Sequence, residues 1–180
     1  MTFVPTTANC DHYMSERQGK YEYRAIRYRA AIEAMITEGL DDSMTIVDVG
    51  AGMTEFDYCL RVEYNWRGRY IPVDGGIDGT DIRTWNPRSA HWFVALEIYE
   101  HMYEWREVNN RLKAAATKGI VVSTPWPAAC DVIAMDPTHV VAIESRDLTK
   151  EGFAVTYNNF YGSTYGDNMG KDALMGVWTK

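Results

Sequence analysis

The order of apolar and polar positions predicts alternating helices and strands over residues 21–124. In residues 21–36, apolar side chains recur at every third or fourth position, which is typical of an amphipathic helix. Four apolar, strand-like runs follow, at residues 46–49, 69–73, 92–98 and 119–124. Helical stretches separate these runs, and such alternation predicts right-handed βαβ crossovers and a parallel sheet.

The helical stretches carry more specific expectations. On the first helix, Arg24, Arg27 and Arg29 lie off the apolar stripe, and we expect solvated side chains. The alternative is that Arg24, Arg27 and Tyr28 face a ligand. Thr54 stands where it could cap the helix that follows the first strand. Residues 99–117 predict one continuous helix, and Gly119 is expected to close it as a C-cap.

The C-terminal part of the chain has a different pattern. Residues 153–161 and 174–179 are both strand-like, and the glycine-rich segment between them has no room for a crossover helix. These two strands are therefore expected to form an antiparallel hairpin at the edge of the sheet. The predicted fold class is α/β, a Rossmann-like, mostly parallel sheet with helices on both faces and a C-terminal antiparallel hairpin.

Length and composition predict one folded domain. The chain has 180 residues, 46% of them hydrophobic, which suits a sizeable buried core over residues 21–180. Residues 1–20 are polar and irregular and are expected to be a flexible N-terminal arm. The formal net charge of −7 provides no overall attraction for phosphate backbones, so composition does not favour nucleic acid as a partner.

The cysteines and the hydropathy pattern indicate a cytoplasmic protein. Cys10, Cys59 and Cys130 are widely separated and lack C-x-x-C spacing, so neither a disulfide framework nor a thiolate zinc site is indicated. The chain has no apolar run of about 18 residues and no N-terminal signal pattern. We therefore expect a soluble protein that does not associate with membranes.

Glycines and carboxylates at the ends of the first two strands predict a ligand site. The first strand ends in Asp48-Val49-Gly50-Ala51-Gly52, and glycines at such a turn let the backbone bend sharply and let a ligand approach. Asp74 ends the second strand, roughly 20 residues further on, where βαβ nucleotide sites place a carboxylate that accepts ribose hydroxyls.

These motifs and the terminal hairpin resemble those of the class I S-adenosylmethionine-dependent methyltransferases, from about residue 21 onward. The segment ALEIYEHM, residues 95–102, is similar to the E-x-x-E-H segment of many O-methyltransferases, and STPWP, residues 123–127, to their S-T-P-N segment. His139-Val140 followed by Gly152-Phe153 is similar to the segment that precedes the terminal hairpin in these methyltransferases. The resemblance implies S-adenosylmethionine as cofactor and O-methylation of a small-molecule, sugar or nucleotide-like acceptor.

The resemblance also implies roles for individual residues. It places the methionine part of the cofactor against Asp48, Gly50 and Gly52, and Asp74 on the ribose. It places Asp81 and Ile82 on the adenine and Glu97 at the reaction centre. The family's additional substrate-recognition elements are absent, which implies a bulky acceptor, or a pocket completed by the N-terminal arm or by a second subunit in a homodimer.

Candidate catalytic groups follow the third strand. His101 is four residues from Glu97, so a helical turn would present both side chains together, and a histidine oriented by a carboxylate suits proton removal from a hydroxyl. His139 is a further candidate base. Trp126, between two prolines, is expected to be exposed at the acceptor site.

Two alternatives remain open. Glu97, Glu100, His101 and His139 resemble the two-glutamate, two-histidine metal site of methyltransferases that modify the 2′-hydroxyl at RNA 3′ ends, which implies Mg²⁺ or Mn²⁺. Against this, E-x-x-E-H also occurs in metal-free relatives. The chain could also be a non-catalytic subunit that binds S-adenosylmethionine only to shape a partner.

Overall fold

The structure of the chain is a computed structural model that describes residues 21–162 and 170–180. The expected N-terminal arm, residues 1–20 with Cys10, lies outside the described residues, as does part of the glycine-rich segment of the hairpin. In the part of the chain that is described, no helix is both long and apolar enough to cross a membrane.

The described elements alternate as the sequence pattern predicts. The strands are β1 (Thr45–Val49), β2 (Arg69–Val73), β3 (Ala90–Leu96), β4 (Ala116–Pro125), β5 (Ala154–Asn158) and β6 (Ala173–Thr179). The helices are α1 (Tyr21–Thr37), α2 (Glu55–Tyr58), α3 (Trp105–Ala115), α4 (Val132–Met135) and α5 (Ser145–Lys150). A π-helical turn, Cys59–Glu63, extends α2, and a 3₁₀ turn, Tyr99–His101, follows β3.

The strands form one sheet in the order β2-β1-β3-β4-β6-β5. The first four are parallel, with Val47 beside Ile71 on β2 and beside Phe93 on β3. Strand β6 is antiparallel to both β4 and β5 and so forms the expected hairpin at the edge. The predicted fold class, a mostly parallel sheet with helices and a C-terminal antiparallel hairpin, is confirmed.

Alternating side chains on the strands build one core on each face of the sheet. Phe93 and Ile120 pack with Trp105 and Leu112 of α3 on one face. Their sequence neighbours, among them Trp92 and Val121, pack on the other face with side chains of α1 and α2. Because successive strand residues point to opposite faces, near-continuous apolar strands are covered on both sides.

The prediction of one helix over residues 99–117 is wrong. The backbone is extended at Met102, which separates the Tyr99–His101 turn from α3, and β4 begins at Ala116 immediately after α3 ends. Gly119 is therefore not a C-cap but lies within β4. A Cβ there would lie 2.5 Å from both the Trp92 ring and the Trp178 carbonyl oxygen, so close packing explains this glycine.

The capping role expected for Thr54 is also wrong. Thr54 does precede α2, but its backbone is left-handed, with φ 57°, and its side chain makes no capping hydrogen bond within the described residues. A capping side chain normally belongs to a residue with an extended backbone, which directs its oxygen toward the first helical N–H groups.

Candidate active site

The carboxyl ends of β1, β2, β3 and β4 meet at one edge of the sheet, because these four strands are parallel. The turn after β1 contains Gly50 and Gly52, both with positive φ, at 75° and 50°. The Gly50 N–H donates to the Val73 carbonyl oxygen at 2.8 Å, which fixes the turn to the end of β2. A Cβ on Gly50 would lie 1.9 Å from Cδ1 of Ile98, so this glycine gives space to an apolar side chain.

Asp74 joins the turn after β1 to the turn after β2. Its carboxylate accepts hydrogen bonds from the backbone N–H groups of Gly52, at 3.0 Å, and Gly76, at 2.7 Å. A carboxylate offers about four lone-pair directions, so Asp74 retains capacity for hydroxyl donors. The predicted glycine motif and the predicted ribose carboxylate are thus directly bonded to each other.

Asp48 is buried beneath the same turn, with 5% of the residue exposed. The Tyr70 hydroxyl donates to its carboxylate at 2.5 Å. Burial raises the pKa of Asp48 to about 7, the nearby Asp74 adds to the rise, and the bond from Tyr70 opposes it. Asp48 therefore loses its proton near neutral pH. A cation beside it would stabilise the charged carboxylate.

The two residues expected at the adenine differ in their surroundings. Asp81 is exposed, and its carboxylate is paired with the guanidinium of Arg83 at 2.9 Å, which lowers the pKa of Asp81. Ile82 is half-buried and packs against the core that contains Phe93. An adenine amine would have to share Asp81 with Arg83.

Helix α1 packs over the turn after β1. Arg24 forms two hydrogen bonds to the Glu55 carboxylate, which also accepts the Tyr28 hydroxyl at 3.0 Å. Arg27 lies 3.7 Å from Glu97. The side chains of Arg24 and Arg27 are each only 13% exposed, so the expectation of solvated arginines is wrong for these two. The position of these two arginines off the apolar stripe does not predict that their side chains are buried.

Glu97 follows β3 directly and has φ 58°, a left-handed conformation that is uncommon outside glycine. Its carboxylate accepts the Ser123 hydroxyl at 2.6 Å and faces Arg27. Burial raises the pKa of Glu97, while Arg27 and Ser123 lower it. The helical turn expected to join Glu97 to His101 is absent from this described segment, because the 3₁₀ turn begins only at Tyr99.

Glu100 is fully buried, and neither carboxylate oxygen has a hydrogen-bond partner among residues 21–162 and 170–180. Burial raises the pKa of Glu100 well above its usual range, and the charge of Glu97 raises it further. The buried Thr124 hydroxyl also lacks a partner in the described part of the chain. Because buried polar groups are almost always satisfied, this carboxyl group is suited to a ligand.

Two histidines adjoin Glu100, with ring centroids 4.7 Å apart. The Nδ1 atom of His139 lies 2.6 Å from the Val132 carbonyl oxygen. The Nδ1 atom of His101 lies 3.2 Å from the carbonyl oxygen of Thr138 and 2.9 Å from its hydroxyl. A carbonyl oxygen can only accept, so each Nδ1 carries a proton, and in the neutral rings the lone pair is on Nε2.

Ligand atoms of Glu100, His101 and His139 lie within 4.8 Å of one another. One carboxylate and two imidazoles fit Mn²⁺ better than Mg²⁺, which prefers oxygen ligands. The structure brings together three of the four residues in the metal alternative. Glu97 is outside this group, since its carboxylate is used by Ser123 and Arg27.

Trp126 follows β4 and is half-buried rather than fully exposed. Its ring packs edge-on against Tyr157, with centroids 4.8 Å apart, and it also contacts the core around Phe93. Its backbone N–H donates to the Asp172 carbonyl oxygen at 2.9 Å. Trp126 is therefore held in place by packing as well as by its flanking prolines.

No protein-family model matches the sequence, and a search of curated proteins finds no significant relative. Solved structures do match the fold. A chain from the complex between the Haloferax volcanii Trm112 methyltransferase activator and a protein assigned as a methyltransferase matches with TM-score 0.62 and 10% identity, over 94% of this chain and 97% of that chain.

Two further matches have comparable folds. The plantazolicin methyltransferase BamL, solved with S-adenosylhomocysteine, has TM-score 0.59 and 8% identity, over 94% of this chain and 88% of that one. A chain of the Pnkp1/Rnl/Hen1 RNA repair complex has TM-score 0.53 and 14% identity, over 85% of this chain and 41% of that one. At these identities the likeness establishes the fold, which is that of class I methyltransferases.

Proposed function

We propose that this chain is an S-adenosylmethionine-dependent methyltransferase that methylates a hydroxyl of a small-molecule, sugar or nucleotide-like acceptor. The observation that carries the proposal is the hydrogen bond between Gly52 and Asp74, which joins a glycine turn to a carboxylate at adjacent strand ends. Adjacent carboxyl ends of parallel strands are where α/β folds bind nucleotides.

We assign these residues the roles in cofactor binding that the family resemblance implies. Asp74 has acceptor capacity left for ribose hydroxyls, and Asp48, Gly50 and Gly52 lie where they would hold the methionine part. Asp81 and Ile82 would hold the adenine, with the Asp81 carboxylate shared between the adenine amine and Arg83. When bound, S-adenosylmethionine supplies an electrophilic methyl group on a positively charged sulfur, which the acidic residues of this edge favour electrostatically.

The chain's own groups would orient the acceptor and remove its proton. Nε2 of His139 or His101 would accept the proton of the acceptor hydroxyl during methyl transfer. Glu97, adjoining Arg27 and Ser123, would orient the acceptor hydroxyl. Alignment of the reacting atoms would supply most of the rate enhancement.

Transfer of a labelled methyl group from S-adenosylmethionine to a panel of hydroxyl-bearing acceptors tests the proposal. Wild-type protein is expected to label at least one acceptor class, and the His139→Gln variant to lose most of that activity while retaining S-adenosylhomocysteine binding. Labelling that persists fully in the variant would remove His139 as a base.

A second candidate function is metal-dependent 2′-O-methylation of RNA 3′ ends, favoured by the convergence of Glu100, His101 and His139. Mn²⁺ or Mg²⁺ held by these residues would polarise adjacent hydroxyls of a terminal ribose and lower the pKa of the attacking one. The hydrogen bonds of both Nδ1 atoms hold the imidazoles in the tautomer that a metal needs.

Dependence of the methylation activity on a divalent metal ion distinguishes the two proposed functions. If the RNA function is correct, methylation of an RNA 3′ end requires Mn²⁺ or Mg²⁺ and is lost after chelation and in Glu100→Gln. Metal-independent turnover of a small acceptor supports the first function instead. Tight cofactor binding without any turnover would favour the third possibility, a non-catalytic subunit that acts with a partner or as a homodimer.

A further inference from the structure

Strand β5 brings an exposed tyrosine to the ligand edge of the sheet. Strand β6 is antiparallel to both β4 and β5, so β4 and β5 run in the same direction and their carboxyl ends lie at the same edge. Ala173 of β6 pairs with Pro125 at the end of β4 and with Asn158 at the end of β5. Tyr157 therefore lies beside the segment that follows β4, and 43% of this residue is exposed.

The ring of Tyr157 contacts Trp126, the first residue after β4, with the two ring planes at 63°. The backbone of Trp126 is fixed on both sides, since its N–H donates to the Asp172 carbonyl oxygen and its own carbonyl oxygen accepts the Ala129 N–H at 2.9 Å. The flanking prolines restrict the backbone further. Because side chains that are fixed in advance lose little conformational entropy on binding, the two rings form a preorganised aromatic surface.

This aromatic surface adjoins polar groups of the candidate active site. Trp126 packs against the core that contains Ile120 and Val122, and alternation along β4 places Thr124 on that same face. The Thr124 hydroxyl is buried, with 1% of the residue exposed, and has no hydrogen-bond partner among the residues that the structure describes. An unused hydrogen-bonding group beside two fixed rings suits a ligand that carries a ring and a polar group close together.

We propose that Trp126 and Tyr157 bind a planar aromatic ring of the acceptor, an inference that rests on the proposed function and narrows its substrate class. Aromatic rings associate with tryptophan and tyrosine through offset and edge-on contacts, and such contacts tolerate different rings because each has a π-face. The hydroxyl that is methylated then belongs to the ring itself, as in a phenol, or to a sugar joined to the ring, as in a nucleoside. A free sugar or an aliphatic polyol lacks this contact.

Matched pairs of probes isolate the contribution of the ring. Catechol is compared with the saturated cyclohexane diol that has hydroxyls on adjacent carbons, and adenosine with methyl ribofuranoside. In each pair only the first member has an aromatic ring. Dissociation constants are measured by ligand-observed NMR titration on protein saturated with S-adenosylhomocysteine, so that the cofactor site is already filled.

Three variants and one control assign the preference to the two rings. Trp126→Leu keeps an apolar side chain against the core but removes the ring, whereas Trp126→Phe keeps a ring. Tyr157→Leu makes the same change at the exposed member of the pair, where packing contributes less. Tyr23→Leu is the matched control, because it replaces a tyrosine that is 65% exposed on α1. The affinity for S-adenosylhomocysteine shows that each variant is folded.

Wild type is expected to bind the aromatic member of at least one pair about tenfold more tightly than its saturated counterpart. Trp126→Leu should bring the two affinities to within about twofold, and Tyr157→Leu should reduce the preference in part. Trp126→Phe and Tyr23→Leu should keep most of it. A preference confined to adenosine indicates a nucleoside acceptor, and one confined to catechol indicates a phenolic acceptor.

The remaining outcomes overturn the inference. Equal binding within both pairs, no binding of any probe, or a preference that persists in Trp126→Leu removes the role of the two rings and leaves the proposed function standing. Folded wild-type protein that does not bind S-adenosylhomocysteine would overturn the proposed function itself.

Discussion

The two halves of the candidate site differ in how completely their buried polar groups are bonded. At the ends of β1 and β2, Asp48 accepts Tyr70, and Asp74 accepts two backbone N–H groups. At the ends of β3 and β4, Glu100 and the Thr124 hydroxyl are buried without partners in the described chain. The first half is a prebuilt frame, whereas the second half has buried polar groups without a hydrogen-bond partner in the described chain.

This difference has a physical consequence for stability. A satisfied buried group costs little, but an unsatisfied one keeps most of its desolvation penalty. The unpaired carboxyl group of Glu100 therefore lowers the stability of the fold. An apolar side chain packed at this position would avoid that desolvation penalty. A ligand, whether an acceptor or a metal ion, is the simplest means of offsetting it.

The largest expected effect concerns Asp48, the frame residue that burial perturbs most. Its pKa rises from an ordinary value near 3.8 to about 7, so between these values the folded protein holds a proton that the unfolded chain has released. Stability should therefore fall as pH rises through this window, by as much as about 4 kcal/mol, and level off above it. Urea denaturation of wild type and Asp48→Asn from pH 4.5 to 8.5 measures this, and parallel curves for the two proteins would contradict it.

The next largest expected effect concerns the unpaired carboxyl group of Glu100, in the second half of the site. Glu100→Met removes the unpaired carboxyl group and should raise the free energy of unfolding at pH 7 by about 1–3 kcal/mol. The same variant should lose any Mn²⁺ binding seen for wild type by calorimetry. Glu104→Met, at an exposed position four residues away, is the control and should change neither quantity. Destabilisation by Glu100→Met would show that this carboxyl group is structural.

The third prediction concerns the contribution of Asp74 to cofactor binding. Asp74→Ala removes an acceptor for ribose hydroxyls and for the Gly52 N–H, so S-adenosylhomocysteine should bind about 1–3 kcal/mol more weakly. Asp78→Ala, in the same turn, should leave the affinity unchanged. Unchanged affinity in Asp74→Ala, measured by calorimetry, would remove the assignment of the ribose to this carboxylate.

The smallest effect concerns Thr138, whose hydroxyl lies 2.9 Å from Nδ1 of His101 and donates to Asp136 at 2.6 Å. Thr138→Val removes one of the two groups that hold the His101 ring, so Mn²⁺ affinity should fall about tenfold. Thr149→Val, on α5, serves as the control. Equal affinity in both variants would mean that the carbonyl oxygen of Thr138 alone orients the ring.

The sheet and its ligand edge could be predicted because their signals are local. Apolar β-branched runs, glycines at strand ends and a segment before residue 174 too short for a crossover helix predict the strands and the hairpin. The glycine motif and Asp74 also fall at adjacent strand ends, as their sequence positions indicate. Gly119 shows the limit, since only the packing of Trp92 and Trp178 against β4 explains it.

The details of the site depend on contacts distant in sequence. Spacing of four residues suggested that Glu97 and His101 share a helical turn, but the left-handed backbone at Glu97 separates them. His101 instead adjoins His139, which is brought close by the bonds of the Val140 and Val141 N–H groups to the Glu100 carbonyl oxygen. The burial of Arg27 likewise follows from how α1 packs on the domain. The hydropathy pattern of the helix does not predict this packing.

The central claim is that this edge of the sheet binds S-adenosylmethionine, and calorimetric titration with S-adenosylhomocysteine, with and without Mn²⁺, tests it most directly. We expect a single site of micromolar affinity, about −8 kcal/mol, formed without metal. Any separate heat from Mn²⁺ should disappear in a Glu100→Ala, His139→Ala double variant that still binds the nucleoside. Folded protein that gives no heat with S-adenosylhomocysteine under either condition would contradict the claim.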